Sequence, residues 1–186
     1  MFHTGELELS QSPSTTLPAE VWLRGPVPGV HPLLQPAAHT LLQVGEDVLP
    51  IVRPLTPEQL WARPGGAASI GFHLVHLPGS LHRLLTYSRA ESLTGHQLAA
   101  LAAERTVHED RPELTRLRET FSAGLDAAIE YLRRVPAESL LLPREVGRKR
   151  LPSTVLGLIF HAAEHSSRHA GQIVTLTRVV QGQAQS

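Results

Sequence analysis

The sequence predicts an all-α four-helix bundle, and three observations carry that expectation. Long stretches with apolar residues at helical spacing alternate with breaks rich in proline and glycine. The length of 186 residues suits one domain of ordinary size with an arm, able to bury a full core without staples. Three histidines, His161, His165 and His169, stand four residues apart in the last periodic stretch. Bundles build metal sites in this way, from side chains on facing helices.

The elements follow in order. Residues 1–30 are polar and then proline-rich (Pro13, Pro18, Pro26, Pro28), which predicts an irregular arm that lies along the domain or frays. The bundle is expected over 31–182, with 183–186 as a tail. A first helix runs from about Pro32 to Val52, with Leu33, Leu34, Ala37, Leu41, Leu42 and Val48 among its apolar positions. Pro32 suits an early helical position, where its missing N–H costs nothing, and Pro50 and Pro54 limit the far end. Thr56-Pro-Glu-Gln59 reads as a capping box opening a short helix, before Pro64-Gly-Gly66 breaks the chain.

A second long helix is expected from about Ser69 to Ser92, rich in leucine and carrying His73, His76 and His82. Asp110 and Glu113 suggest a capping box for a third, about Arg111 to Arg134, whose Leu114, Leu117, Phe121, Leu125, Ala128 and Leu132 keep the helical period. Residues 140–152 fit a short hairpin turning near Gly147. Ser153 is the candidate N-cap of a fourth helix, about Thr154 to Val180.

Composition narrows the function. Hydrophobic residues are 41% and charged residues 18%, a globular balance. Lys+Arg and Asp+Glu are both 17, so no net charge draws the chain to nucleic acid. The basic run Arg144, Arg148, Lys149 and Arg150 reads as a solvated loop, with an anionic-substrate site as the sharper alternative. The absence of cysteine excludes disulfides, thiolate metal sites and a thiol nucleophile borne by the protein. No basic start with an apolar run marks a signal peptide, and no apolar stretch approaches the roughly 18 residues of a membrane span. A soluble, cytoplasmic protein is expected.

Seven of the eleven histidines fall within 73–96 and 161–169. In the second window Leu158, His161, Ala162, His165, His169, Gln172 and Leu176 share one stripe, expected to face inward. A single buried histidine is readily a hydrogen-bonded core residue, whereas three on one face point to a metal. Residues eight apart lie about 12 Å from each other along a helix, so His161 and His169 cannot share an ion. Either the 161/165 or the 165/169 pair binds, and another ligand comes from a second helix. His73 and His76, three apart, are both candidates, and spacing does not choose between them. His161-Ala-Ala-Glu164-His165 also matches the inverted zinc-protease pattern. Such enzymes draw an acidic ligand from downstream, and none of the 21 residues after His165 is Asp or Glu.

Two segments carry a family resemblance: Gly71-Phe-His-Leu-Val-His76 and Glu164-His165-Ser-Ser-Arg-His169-Ala-Gly-Gln172. With them the chain, from about Val30 to Val180, resembles the DinB/YfiT-like superfamily of metal-dependent proteins. The resemblance implies a left-handed four-helix bundle with one long crossover, often dimeric. It also implies a divalent metal site with open positions, whose ligands carry over as His76, His165 and His169. His161, His73, Glu164 and Gln172 then line the pocket or support the ligands. Ala170 stands where the family often has Arg, which puts any pocket role of that Arg in doubt.

Some members of the superfamily use low-molecular-weight thiols such as bacillithiol, mycothiol or glutathione in S-transfer or isomerisation. The resemblance therefore implies a thiol-dependent S-transferase acting on a small molecule, with zinc as the expected metal and nickel, iron or copper as alternatives. A second reading is a metal-dependent hydrolase with His161 or Glu164 as general base. A third is a non-catalytic, stress-associated metal-binding protein, for which a closed four-ligand sphere would be the mark.

Overall fold

A computed structural model describes residues 19–183. Among them are seven α-helices and one two-stranded hairpin: α1 (Gln35–Val52), α2 (Pro57–Trp61), α3 (Ile70–Ser88), α4 (Gly95–Ala103), α5 (Val107–Asp110), α6 (Leu114–Arg134), β1 (Pro143–Val146), β2 (Leu151–Thr154) and α7 (Val155–Gln183). The long helices α1, α3, α6 and α7 form the bundle: α7 packs on α3 and α1, and α6 closes the other side against the same two helices. The all-α four-helix expectation holds, with the short elements as connections. No helix among the described residues is long and apolar enough to cross a membrane.

Local chemistry sets most boundaries. Pro32 opens a tight turn leading into α1, and the His31 ring accepts from Leu33 N–H at its start. The Thr56–Gln59 capping box is present, with both reciprocal bonds. Ser69 caps α3 by accepting from Phe72 N–H at 3.1 Å. The helix stops at Ser88 rather than Ser92, because Ala90 takes a left-handed conformation (φ 61°). Of the N-terminal arm, residues 1–18 lie outside the described part. The remainder is not loose: Val21, Val27 and Val30 are buried, and Gln35 holds the backbone of Val27 and Val30 through its side-chain amide.

Two caps differ from expectation. The Asp110–Glu113 box does not form: Asp110 ends α5, Arg111 turns left-handed (φ 42°), and Glu113 precedes α6 with no side-chain cap bond. Pro112 disfavours the helical conformation of the residue before it, so α6 begins at Leu114. At α7 the cap is Thr154, whose hydroxyl accepts from Gly157 N–H at 3.0 Å; the Ser153 hydroxyl instead turns to the Thr154 carbonyl. The hairpin is present, its strands antiparallel and joined through Gly147 (φ 66°) and Arg150 (φ 49°). Arg144 ties it to the bundle, donating to Ser88 O at 2.7 Å at the end of α3.

The core is continuous through all four long helices, with Phe121, Leu41, Leu74, Leu77 and Ile173 among its fully buried side chains. Close approach depends on small residues. The flat ring of Trp61 lies where a Cβ on Gly71 would stand, only 2.7 Å away, so glycine lets α2 seal onto the first turn of α3. Gly71→Ala gains up to ~1 kcal/mol of helix propensity and forces Trp61 out of place, at a cost of about 1–3 kcal/mol. The expected result in chemical denaturation is a net loss of stability. A stability gain in Gly71→Ala would show that Trp61 is not packed there.

Candidate metal centre

The α3–α7 contact brings the histidines together. His76 projects from α3, and His165 and His169 project from α7 one turn apart, each half-buried. One ring nitrogen from each lies within 4.8 Å of the others. His76 Nε2 and His165 Nε2 face each other at 3.2 Å, a separation at which two imidazoles share either a proton or a cation. The His165 and His169 ring centres are 4.4 Å apart, nearly perpendicular. The three imidazoles are positioned to hold one divalent ion, with no fourth protein ligand in the group among the described residues. Three ligands leave coordination positions for water or substrate.

The electrostatics suit ligation, which needs neutral imidazole. Burial, followed by the neighbouring His169, His76 and His161 and by Arg168, pushes His165 down to about 4. Burial, with His76 and Arg168 next, also lowers His169, against an opposing hydrogen bond from Gln172 and the charge of Glu104. At neutral pH both rings therefore offer lone pairs.

The surroundings fix the orientations of the three rings. His76 Nδ1 meets the Glu104 carboxylate at 2.7 Å, which leaves Nε2 directed at the other two histidines. Glu104 is itself held by Arg83, at 2.6 Å from its other oxygen, and both side chains are nearly buried. Burial works against charge on Glu104, but the hydrogen bonds of His76 and Arg83 and the Arg83 charge outweigh it and hold the carboxyl below its usual range. Phe72 stacks parallel to His76 at 5.4 Å and covers that ring from the side.

Of the two pairs that spacing left open on the last helix, the structure groups 165/169, and of His73 and His76 it groups His76. His73 is buried (4% exposed) and its Nδ1 meets His169 Nδ1 at 2.9 Å, so it supports a ligand instead of joining the group. Burial and the adjacent His169 and His76 lower it to about 4. Gln172 is close enough to His169 to oppose the lowering of its pKa. Glu164 pairs with His161 (3.3 Å) and Arg168 (2.5 Å) along the helix surface.

The inward stripe is corrected in part: Leu158 and Ala162 are buried as expected, and His165, His169 and Leu176 are half-buried. His161 and Gln172 are exposed, and the buried line of α7 runs through Ala162, Ala163, Ser166, Ala170 and Ile173. Those residues, small apart from Ile173, fill the bundle interior, so the imidazoles stand at its edge, where solvent reaches them. His161 remains beside the group, its ring 5.6 Å from that of His165.

Glu104 is absent from the sequence expectation because it depends on α4, and Arg83, on the expected α3, gains its role only through Glu104. Thr94-x-x-Gln97 is the same capping box that marks α2, and it forms here. It starts a helix that ends with Glu104 as its C-cap. Arg83, seven residues after His76, lies on the same face of α3 two turns on.

Residues 40–173 match a family model described as the DinB superfamily, a span that includes all three histidines. No curated protein matches the chain.

Glu104→Gln keeps the shape of the side chain but removes the charge opposite His76. Its expected effect is a loss of zinc affinity of about 10–100-fold in a chelator competition. Unchanged affinity would mean that Glu104 does not tune the ligand. The metal-stripped protein should also lose stability as the pH falls from about 6.5 to about 4, because the unfolded chain then binds protons that folded His73 and His165 refuse. The contribution is complete above that window. His73→Gln should flatten the slope of melting temperature against pH, and an identical slope in the variant would contradict the assignment.

Proposed function

The chain belongs to the DinB superfamily, and from that premise we propose that it is a metal-dependent enzyme, a thiol-dependent S-transferase of the cytoplasm acting on a small molecule. The observation that carries the reading is the group of His76, His165 and His169, three neutral donors at the solvent-facing edge of the bundle. Zinc is the metal proposed; nickel and iron suit the same donors. Bound there, a divalent ion supplies Lewis acidity that lowers the pKa of a coordinated thiol or water.

The chain's own residues supply orientation and proton handling. Glu104 and His73 hold the ligand rings from behind. Phe72 shields His76 on one face. His161, exposed beside His165 and with its Nδ1 3.3 Å from the Glu164 carboxylate, is placed to hold or release a proton at the mouth. The chain has no cysteine, so a thiol nucleophile has to come from a cosubstrate. A low-molecular-weight thiol such as bacillithiol, mycothiol or glutathione meets that need.

A second reading, metal-dependent hydrolysis, draws on the same His161–Glu164 pair, which would serve as the base for water. A closed structural site fits less well, because only three ligands converge among the described residues.

The test is turnover by purified protein with a panel of thiols and electrophiles, with and without zinc. Turnover that requires both thiol and metal, and that drops at least about 100-fold in His165→Ala, is the expected result. Turnover with metal but without thiol would replace transfer by hydrolysis. Metal binding without turnover under any combination would remove the enzymatic reading.

A further inference from the structure

Beyond the histidines, α3, α4 and α6 enclose a groove of about 900 Å³. It lies on the far side of Glu104, and none of His76, His165 and His169 lines it. Val75 and Gly79 form part of its floor, and Ala100, Ala103, Ala123 and Ala127 its walls. It follows α3 from Leu74 to Leu85, about 16 Å of helix. The groove owes its depth to small residues. A Cβ on Gly79 would stand 2.9 Å from Glu104 Oε1, and one on Gly124 would stand 2.8 Å from the Pro78 ring.

The two ends differ in charge. At the α5 end Arg116 is accompanied by Asp110. At the other end stand Arg89, His82 and His96, with no acidic residue among the lining groups there. Arg89 is held over the Tyr131 ring at 5.6 Å, with Nε on Glu91 and one terminal nitrogen on Thr86. Its other terminal nitrogen has no partner among the described residues. The surroundings of His82 are cationic as well: burial, then Arg89, His96 and Arg83, disfavour its protonated form.

We infer that this groove is a second ligand site, separate from the metal centre, for a small amphiphilic carboxylate whose apolar chain lies along α3 and whose head group meets Arg89. The volume is that of a small-molecule site, and the lining is largely apolar, with polar groups at both ends and the Arg83-paired Glu104 in the wall, and with unbalanced positive charge only at the Arg89 end. A protein partner fits the groove less well. Protein interfaces are anchored by exposed aromatic side chains, and the large exposed apolar residues Trp22, Leu141 and Phe160 are not part of this lining. Nothing in the assignment requires the S-transfer reading.

Decanoate is the probe. Titrated calorimetrically into the zinc-loaded full chain and again after chelation, it is expected to bind saturably in both, one molecule per chain. Ala127→Trp, which fills the wall from an exposed position, is expected to weaken binding at least about tenfold. Ala123→Leu serves the same purpose if the tryptophan variant does not fold. Arg89→Gln is expected to weaken decanoate by about tenfold while leaving decanol unaffected. Loss of decanoate binding on chelation would place the carboxylate on the metal and overturn the assignment. So would the absence of saturable binding, or binding indifferent to both groove variants. A change of oligomeric state in ligand-free Ala127→Trp would make the groove an interface and overturn it too.

Discussion

Ala162, Ala163, Ser166 and Ala170 let α7 settle against α3 and α1, and the positions of His165 and His169 follow from that approach. Larger residues on that line would push α7 outward and separate its imidazoles from His76. The bundle and the metal centre thus rest on one packing contact. Stability comes from the apolar residues around it, since the continuous core reaches through all four long helices. The histidines contribute little to that core. They occupy the seam between α3 and α7, where rings can be oriented by neighbours and still meet solvent.

Burial alone would make such a cluster costly. An unpaired carboxylate or guanidinium taken out of water costs several kcal/mol, and removing one partner of a buried pair costs about 3–5 kcal/mol. The structure resolves this with a chain of partners. Arg83 neutralises Glu104, Glu104 orients His76, and His73 meets His169. Each polar group buried near the centre is satisfied by another on a different element or turn. The chain of contacts also crosses from α4 to α3 and on to α7, so the short α4 helix, which adds little apolar area, is tied to the centre through its C-cap, Glu104.

Much of this was legible in the sequence. The four long helices declared themselves by apolar period and by proline and glycine breaks, and Ser69 and Thr56 marked two starts that the structure keeps. The histidine group was legible because spacing on one helix is a physical distance, and family resemblance singled out His76 beside His165 and His169. Three features were not legible, each for a different reason. The cap of α6 failed because Pro112 restricts the residue before it, a constraint that the Asp110–Glu113 spacing does not reveal. The inward stripe on α7 holds at Leu158 and Ala162 but not at His161 and Gln172, because rotation about a helix axis is set by what packs best, and there Ala163, Ser166 and Ala170 turn inward. Glu104 went unseen because α4 is short and carries leucines that remain exposed, so its apolar pattern resembles a loop.

Glu104 also has a consequence for how the molecule is divided. One of its oxygens serves His76 and the other serves Arg83, beside the floor of the α3–α4–α6 groove. The same carboxylate is therefore part of the wall between a polar, histidine-lined centre and an apolar channel. A fully apolar wall could not orient His76, and an unpaired acid facing the channel would repel an anionic occupant. Pairing with Arg83 removes that repulsion while keeping the charge that His76 needs. Gly79 completes the arrangement, since a Cβ there would stand 2.9 Å from Glu104 Oε1 and 3.0 Å from an Arg83 terminal nitrogen, and the paired ends would have to shift to admit it. The advantage of glycine at this position comes from side-chain crowding across two helices. Its backbone, within a regular stretch of α3, would accept alanine.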